Sequence, residues 1–404
     1  MAVNKAVTRD NVTKIHYGPK VDQEIHIHHW PFKIDFLRGG HVEMVLNERN
    51  FLNVEHWRPK SVKKVQQQEK EGEVGDEQMS KDEEGQEDSE DGMWEESFNG
   101  KTDSKPRGPE SIGLDVTFSG YEHVYGIPEH ASTFSLKSTS GAEGEYSEPY
   151  RLWNLDVFEY ELDSPAALYG AIPFMYAHKK SSHGSSDAAL LWLNAAETWI
   201  DLTTTEHKNP LSFSTKAASS QTHWISESGI LDLLVFLGPD STTIFKQYGE
   251  LTGTTPLPPL FSIGYHQCRW NYMNEDDVLT VDAGFDKHDI PYDTIWLDIE
   301  YTDDKQYFTW DARNFPSPES MLKKLDVNKR KLVAIIDPHI KRKEGYWVHK
   351  EGEKKDFMVK NAEAKIYDGW CWPGSSSWVD FTSQKAREWW HTLFKFDKFK
   401  VPPS

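Results

Sequence analysis

FSIGYHQCRWNY (Phe261–Tyr272), YDTIWLDIEY (Tyr292–Tyr301), KLVAIIDPHI (Lys331–Ile340) and GWCWPGSSSWVDF (Gly369–Phe381) follow one another along the second half of the chain. The middle two are apolar, β-branched runs that end in a carboxylate, Asp298 and Asp337. The segments between the first three runs have helical signals. Asn274 is placed to cap one helix, with Glu275, Asp276 and Asp277 in its first turn and Val278, Val281 and Phe285 at helical spacing. Ser317-Pro318-Glu319 opens the next, followed by Met321, Leu322 and Leu325. A polar cap, proline at the first helical position and early acids satisfy orphan amides and oppose the positive helix end. Alternating apolar strands and helices predict a parallel sheet. In a (β/α)₈ barrel the chemistry sits at the C-terminal strand ends. Asp298, Asp337, Trp270 and Trp372 are all expected there. Carboxylates accept from vicinal hydroxyls and indole faces cover a pyranose ring, so a sugar is the ligand that these residue types suit.

Outward from this stretch the character changes. From Ser111 to Gly238 short apolar runs recur with turn signals between them, including GLDVTF, RLWNLDVFEYEL, AALYGAIPFMYAH and GILDLLVFLG. Many short strands with few helices predict a β-sandwich. Asp156, between Leu155 and Val157, is expected either outward on a strand or on a loop facing a ligand. Thr242–Gly249 reads as a short helix, and PLPPL (Pro256–Leu260) as a stiff connector. From Asn4 to about Pro59 the chain also reads as strands, with PFKIDFL and HVEMVLN joined through Gly39-Gly40 as a hairpin. His26, His28 and His29 read as strand-surface residues rather than metal ligands. Residues 61–108 are acidic, glycine-bearing and nearly free of large apolar side chains. Such a segment buries too little to offset its chain entropy, and a disordered insert is expected.

Composition narrows the partners. A net charge of −20 over 404 residues argues against nucleic acid and anionic membranes. No apolar run is long enough for membrane insertion, and the N-terminus lacks the apolar core of a signal peptide, which taken literally places the chain in the cytoplasm. Sixteen tryptophans suit carbohydrate contact as well as a large aromatic core. Two cysteines, Cys268 and Cys371, exclude a disulfide framework and are expected as buried thiols. No metal or organic cofactor is implied.

These segments, with GPESIGLDVTFSGYEHVYGIPEHA, EPYRLWNLDVFEYEL and WLNAAETWIDL, carry a resemblance. The chain resembles glycoside hydrolase family 31, in its glucosidase II branch, over most of its length from about Pro31. The resemblance implies an α+β multidomain protein. A galactose-mutarotase-like β-sandwich (residues 1–255) would precede the first part, about three βα units, of a (β/α)₈ barrel (256–404). It implies retaining hydrolysis of terminal α-glucosidic bonds, on glucosylated N-glycans or α-glucans, in the endoplasmic reticulum lumen, with a β subunit as partner. It implies that Asp298 holds the distal hydroxyls of the terminal glucose, and that Trp270, Ile295 and Trp372 wall that subsite. Asp156 and Phe158 would form a loop lent by the sandwich, and Asp337 would shape the pocket by hydrogen bonding. Asp293, Glu300 and Asp311 read as structural. A retaining glycosidase needs a nucleophile and an acid/base about 5–5.5 Å apart. The family's nucleophile motif, WNDMNEP-like, and its later acid/base Asp are not among these residues. The catalytic pair is therefore expected to lie beyond the chain, which would be inactive as it stands. A non-catalytic glycan-binding or subunit-binding form is the alternative.

Overall fold

The structure is a computed structural model that describes residues 3–18, 22–55, 95–98, 101–104, 110–181, 184–205, 218–361, 363–395 and 398–399. The chain divides into two compact units, Met1–Thr254 and Thr255–Ser404. Most of the acidic segment 61–108 falls outside the described residues, so its expected disorder does too. Only a short hairpin inside it is described, given below as β7 and β8.

The first unit is built from strands β1 (Val3–Arg9), β2 (Val12–Tyr17), β3 (Gln23–His29), β4 (Phe32–Arg38), β5 (His41–Leu46), β6 (Asn53–Glu55), β7 (Glu95–Phe98), β8 (Lys101–Ser104), β9 (Ser111–Phe118), β10 (Val124–Gly126), β11 (Tyr150–Leu152), β12 (Phe174–Ser181), β13 (Gly184–Trp192), β14 (Thr198–Thr205), β15 (Ser219–Ser226) and β16 (Leu233–Gly238). A ten-stranded sheet runs β1-β2-β3-β4-β5-β9-β15-β14-β11, with β6 paired to β9, and a four-stranded sheet runs β10-β12-β13-β16. Gly39 and Gly40 both have positive φ in the β4–β5 turn, as its Gly pair predicts.

Period-two alternation explains how the small sheet is used. On β13, Ala188, Leu190 and Trp192 join the core shared with the large sheet. Ala189 and Leu191 point the other way and pack with Ile244 of helix α1 (Ser241–Thr252). Across the core Trp192 stacks on Trp224 of the large sheet, rings 5.5 Å apart at 16°. Both buried indoles are satisfied, by Ser226 Oγ and Thr222 Oγ1, each at 2.9 Å. The run RLWNLDVFEYEL, expected as a strand, is one only over Tyr150–Leu152, and the residues after it form a loop.

The second unit holds β17 (His266–Gln267), α2 (Glu275–Lys287), β18 (Thr294–Leu297), α3 (Pro318–Asp326), β19 (Lys331–Ala334), β20 (His339–Lys341), α4 (Trp347–Lys354), β21 (Gly369–Cys371), β22 (Gly374–Trp378) and α5 (Gln384–Leu393). β17, β18 and β19 form a parallel sheet, with Gln267, Ile295 and Leu332 in register. Asn274 caps α2 by accepting from the Asp277 amide. Ser317 precedes α3 but does not cap it. Its amide and hydroxyl instead donate to the buried Glu275 carboxylate, at 2.6 and 2.8 Å, tying α3 to the start of α2. The fourth quoted run differs from a barrel strand. It folds as the antiparallel hairpin β21–β22, whose second strand pairs with β20. Trp372 therefore stands in a hairpin turn, not at the end of a parallel strand.

The His cluster pairs locally. His26 meets Glu24 and His28 meets Asp35, each at 2.8 Å, and His29 meets Thr13 Oγ1 at 2.9 Å. Cys268 is exposed, against the expectation of a buried thiol, because it follows the very short β17; Cys371 is half-buried, and the two do not form a disulfide.

Candidate functional site

Parallel pairing brings the C-terminal ends of β17, β18 and β19 to one side of their sheet. At the end of β18 the chain enters a 3₁₀ turn, Ile299–Tyr301, which Asp298 caps. Asp298 Oδ1 accepts from the Ile299 amide at 2.7 Å, so one carboxylate oxygen fixes the turn while the group stays half-buried. Tyr301 is fully buried and donates to the Ile335 carbonyl at 2.8 Å, locking this turn against the end of β19.

Glu300 lies on the same turn, and its Oε2 is buried without a hydrogen-bond partner. Burial pushes its carboxyl up, opposed by the Trp270 indole beside it, and the nearby Asp298 charge pushes it up further. Trp270, just beyond β17, is 71% exposed. Thus Asp298, Glu300 and Trp270 converge at the ends of two neighbouring strands.

Beyond β19 a second group assembles around Asp337. Tyr307 Oη donates to Asp337 Oδ2 at 2.8 Å, and His339 Nε2 lies 3.4 Å from the same phenol oxygen. The phenol has one proton and gives it to Asp337, so the imidazole is the donor at the longer contact. Burial raises the Tyr307 phenol far above its ordinary range, and the Asp337 carboxylate adds to the shift. Burial lowers His339, against the pull of Asp337. The His339 ring meets Trp372 edge-on, centroids 4.3 Å apart at 85°. Trp372 keeps 45% of its surface exposed.

Lys305 connects the two groups. Its ammonium donates to the Trp372 carbonyl at 3.2 Å, and its charge is felt by Glu300. The region thus holds the half-buried Asp298 carboxylate and two exposed indoles, Trp270 and Trp372. A carboxylate can accept from hydroxyls, and an exposed indole face can cover a sugar ring. Asp337 is committed to Tyr307 and Asp298 to a backbone amide, which suits holding a ligand more than attacking one. Among the described residues no group of three or more His, Cys, Asp or Glu is arranged to hold a metal ion.

Four of the residues singled out in sequence, Asp298, Trp270, Trp372 and Asp337, therefore meet in one region. Ile295 does not join them. It is 0% exposed and packs in the core with Val278, Leu297 and Met321, leaving no surface for a wall. Asp156 and Phe158 stand on the loop after β11 in the other unit, with Phe158 96% exposed. Asp311 is the turn residue its setting suggests, accepting from the Arg313 amide and the Asn314 side chain. Asp293 packs against Gly264, where an added Cβ would overlap its carboxylate. Glu300 reads as structural from the sequence, and Lys305, Tyr307 and His339 are residues that sequence reasoning missed. The nearness of Glu300 to Asp298, and of His339 to Asp337, was the available signal. Tyr307 and Lys305 sit in an irregular segment whose path no periodicity reveals.

Residues 3–201 match the glycosyl hydrolase 31 N-terminal galactose mutarotase-like domain, and residues 255–402 the glycosyl hydrolases family 31 TIM-barrel domain. The chain is 50% identical to the glucosidase 2 subunit alpha of Schizosaccharomyces pombe over 371 residues, 92% of this chain and 37% of that protein. It superposes on a glucosidase II alpha subunit solved in a Glc1Man2-bound form with TM-score 0.87 and 51% identity, covering 99% of this chain and 41% of that one. It matches equally well, at TM-score 0.87 and 51% identity, an ER glucosidase II heterodimeric complex of catalytic subunit and regulatory-subunit binding domain, covering 99% of this chain and 41% of that one. The chain thus spans about two fifths of the length of these relatives. Its sandwich, its partial barrel and its relatives agree: the chain belongs to glycoside hydrolase family 31.

Proposed function

We propose that these 404 residues form the substrate-holding part of a retaining α-glucosidase of the glucosidase II type. The observation that carries this reading is the gathering of Asp298 at the end of β18, the exposed Trp270 just beyond β17 and the half-exposed Trp372 in the β21–β22 turn. In this reading Asp298 accepts from the distal hydroxyls of a terminal α-linked glucose, and Trp270 and Trp372 cover the ring. Asp337 holds Tyr307 and, through His339, sets the Trp372 face. The nucleophile and acid/base are supplied from outside these residues. The substrate is a glucosylated N-glycan or α-glucan in the endoplasmic reticulum, with a regulatory β subunit as partner. The likeness to the Glc1Man2-bound alpha subunit supports the substrate class, and the likeness to the ER heterodimeric complex supports the compartment and the partner.

A chimera tests this. The chain replaces the matching part of the S. pombe glucosidase 2 subunit alpha, and hydrolysis of p-nitrophenyl α-glucoside is followed. The expected result is turnover that Asp298→Ala reduces about 100-fold or more, the loss of two hydrogen bonds to a charged group. A chimera that melts cooperatively but lacks activity, or keeps full activity without Asp298, overturns the reading.

A further inference from the structure

We infer that the sandwich unit carries a carbohydrate site of its own, a cleft beside Trp153 that takes one neutral monosaccharide unit. The cleft shares no residue with the Asp298 region and holds about 230 Å³. That is below the roughly 300–1,000 Å³ of sites for larger ligands, and gives room for one sugar ring rather than a chain. Its walls are the end of β11 with the loop that follows, the approach to β12, and the β13–β14 connection. β11 and β14 pair with Leu152 opposite Thr198, and the Trp192 amide donates to the Pro173 carbonyl at 2.9 Å, so the walls are fixed against one another. Glu197 is the one charged residue in the lining, and its side chain is 10% exposed. Its Oε1 accepts from Arg151 Nε–H, and the other oxygen is the acceptor for a ligand hydroxyl. The Arg151 guanidinium lies over the rings of Trp153 and Trp199, 5.3 and 5.2 Å from their centroids. It neutralises Glu197, so the cleft suits a neutral ligand better than an ion. Asn154 gives its amide N–H to the Tyr169 carbonyl at 2.7 Å, which leaves Oδ1 as a second acceptor. Asn194 accepts from the Ala196 amide and donates to the Ser228 carbonyl, both at 2.8 Å, and so holds the β13–β14 connection in shape. Trp153 keeps 42% of its surface exposed at the rim. Two acceptors and an indole match a ring that has vicinal hydroxyls and an apolar face. Because protein partners already hold Glu197 and Asn154, little freedom is lost on binding.

The test uses the full chain with Asp298→Ala, so that the proposed glucose subsite does not contribute. The chain is labelled with 5-fluorotryptophan, and the Trp153 fluorine resonance is assigned with Trp153→Phe. Methyl α-glucoside and methyl α-mannoside are titrated through the millimolar range. The Trp153 resonance is expected to shift and saturate with at least one of them. Glu197→Gln should weaken that binding about tenfold or more, the loss of a hydrogen bond to a charged group. Asn154→Ala, on an exposed loop position, should weaken it about threefold or more, the loss of a neutral one, and keeps the test decisive if Glu197→Gln does not fold. A Trp153 resonance indifferent to both glycosides overturns the inference. A shift that never saturates and that glycerol reproduces does so as well. A saturating response to tetramethylammonium or phosphate alone overturns the neutral-sugar assignment. Saturable glycoside binding that neither variant weakens places the ligand outside the cleft and overturns it too.

Discussion

Tyr307→Phe isolates one bond in the site. The phenol is 2% exposed and its ring packs against His339 at 5.6 Å, so phenylalanine keeps the volume and creates no cavity. What is lost is the 2.8 Å donation to Asp337 Oδ2. The 3.4 Å contact to His339 is too long to add much. A hydrogen bond to a charged group contributes about 1.5–3 kcal/mol. With a urea dependence of about 2 kcal/mol per molar, the barrel unit should lose about 1 M in its unfolding midpoint. Hydrogen exchange along a urea series reads it on peptides spanning Lys331–Ile340. Peptides from β12 and β13, in the other unit, serve as an internal control and should not move. The phenol's raised pKa adds an alkaline signature. A group raised on folding stabilises fully below its unfolded value, about 10, and its contribution is lost as pH rises beyond that. The wild type should therefore weaken faster than Tyr307→Phe above about pH 10. A midpoint shift worth less than about 0.5 kcal/mol, the range of neutral surface changes, would refute the argument that Asp337 depends on this donor.

Three other outcomes follow from the packing. Glu43, 4% exposed, takes Lys179 and Tyr121 at 2.7 Å and Arg38 at 3.2 Å between the two sheets. Glu43→Gln strands two cations and should cost the sandwich about 3–5 kcal/mol in urea. Burial pushes Glu43 up, but Lys179, Tyr121 and Arg38 outweigh it and the net shift is down. Its contribution is present above its unfolded value, about 4.3, and fades as pH falls through the folded one, so wild-type stability should drop more steeply in acid than that of Glu43→Gln. Ser317→Ala should cost about 1–2 kcal/mol, and a cycle with Glu275→Gln should be non-additive; additive losses would mean that Ser317 acts alone. Asp304, bonded by Lys341 and Lys343, is lowered to about 2. It is half exposed, so NMR titration in about 1 M salt should return it towards about 3.9.

The sequence made most of this legible where one residue's neighbours in space are also its neighbours in the chain. The βα alternation around YDTIWLDIEY and KLVAIIDPHI, the Asn274 cap and the Gly39-Gly40 hairpin are local signals, and all have structural counterparts. Ser317 has the right residue type for a cap, but a buried carboxylate 42 residues away competes for its donors. Ile295 shows the limit of reading a strand by its end. It is one step of alternation from Trp296 and faces the core, a choice that tertiary packing makes. Trp372, expected at a strand end, lies instead in a hairpin turn against His339, since GWCWPGSSSW pairs antiparallel and its Pro373-Gly374 turn is the available sign. Tyr307, His339 and Lys305 became visible only once an irregular loop was folded over the strand ends.

The central claim is that Asp298 takes the distal hydroxyls of a terminal α-glucose. The most direct measurement is kcat/KM of the chimera, with and without Asp298→Ala, on p-nitrophenyl α-glucoside and on its 4-deoxy and 6-deoxy analogues. If Asp298 binds those hydroxyls, the mutation costs about 100-fold or more on the parent glucoside. It costs much less on an analogue that already lacks the hydroxyl, because the two losses are one interaction removed twice. Equal losses on all three substrates would place Asp298 in the architecture of the turn and out of contact with the sugar.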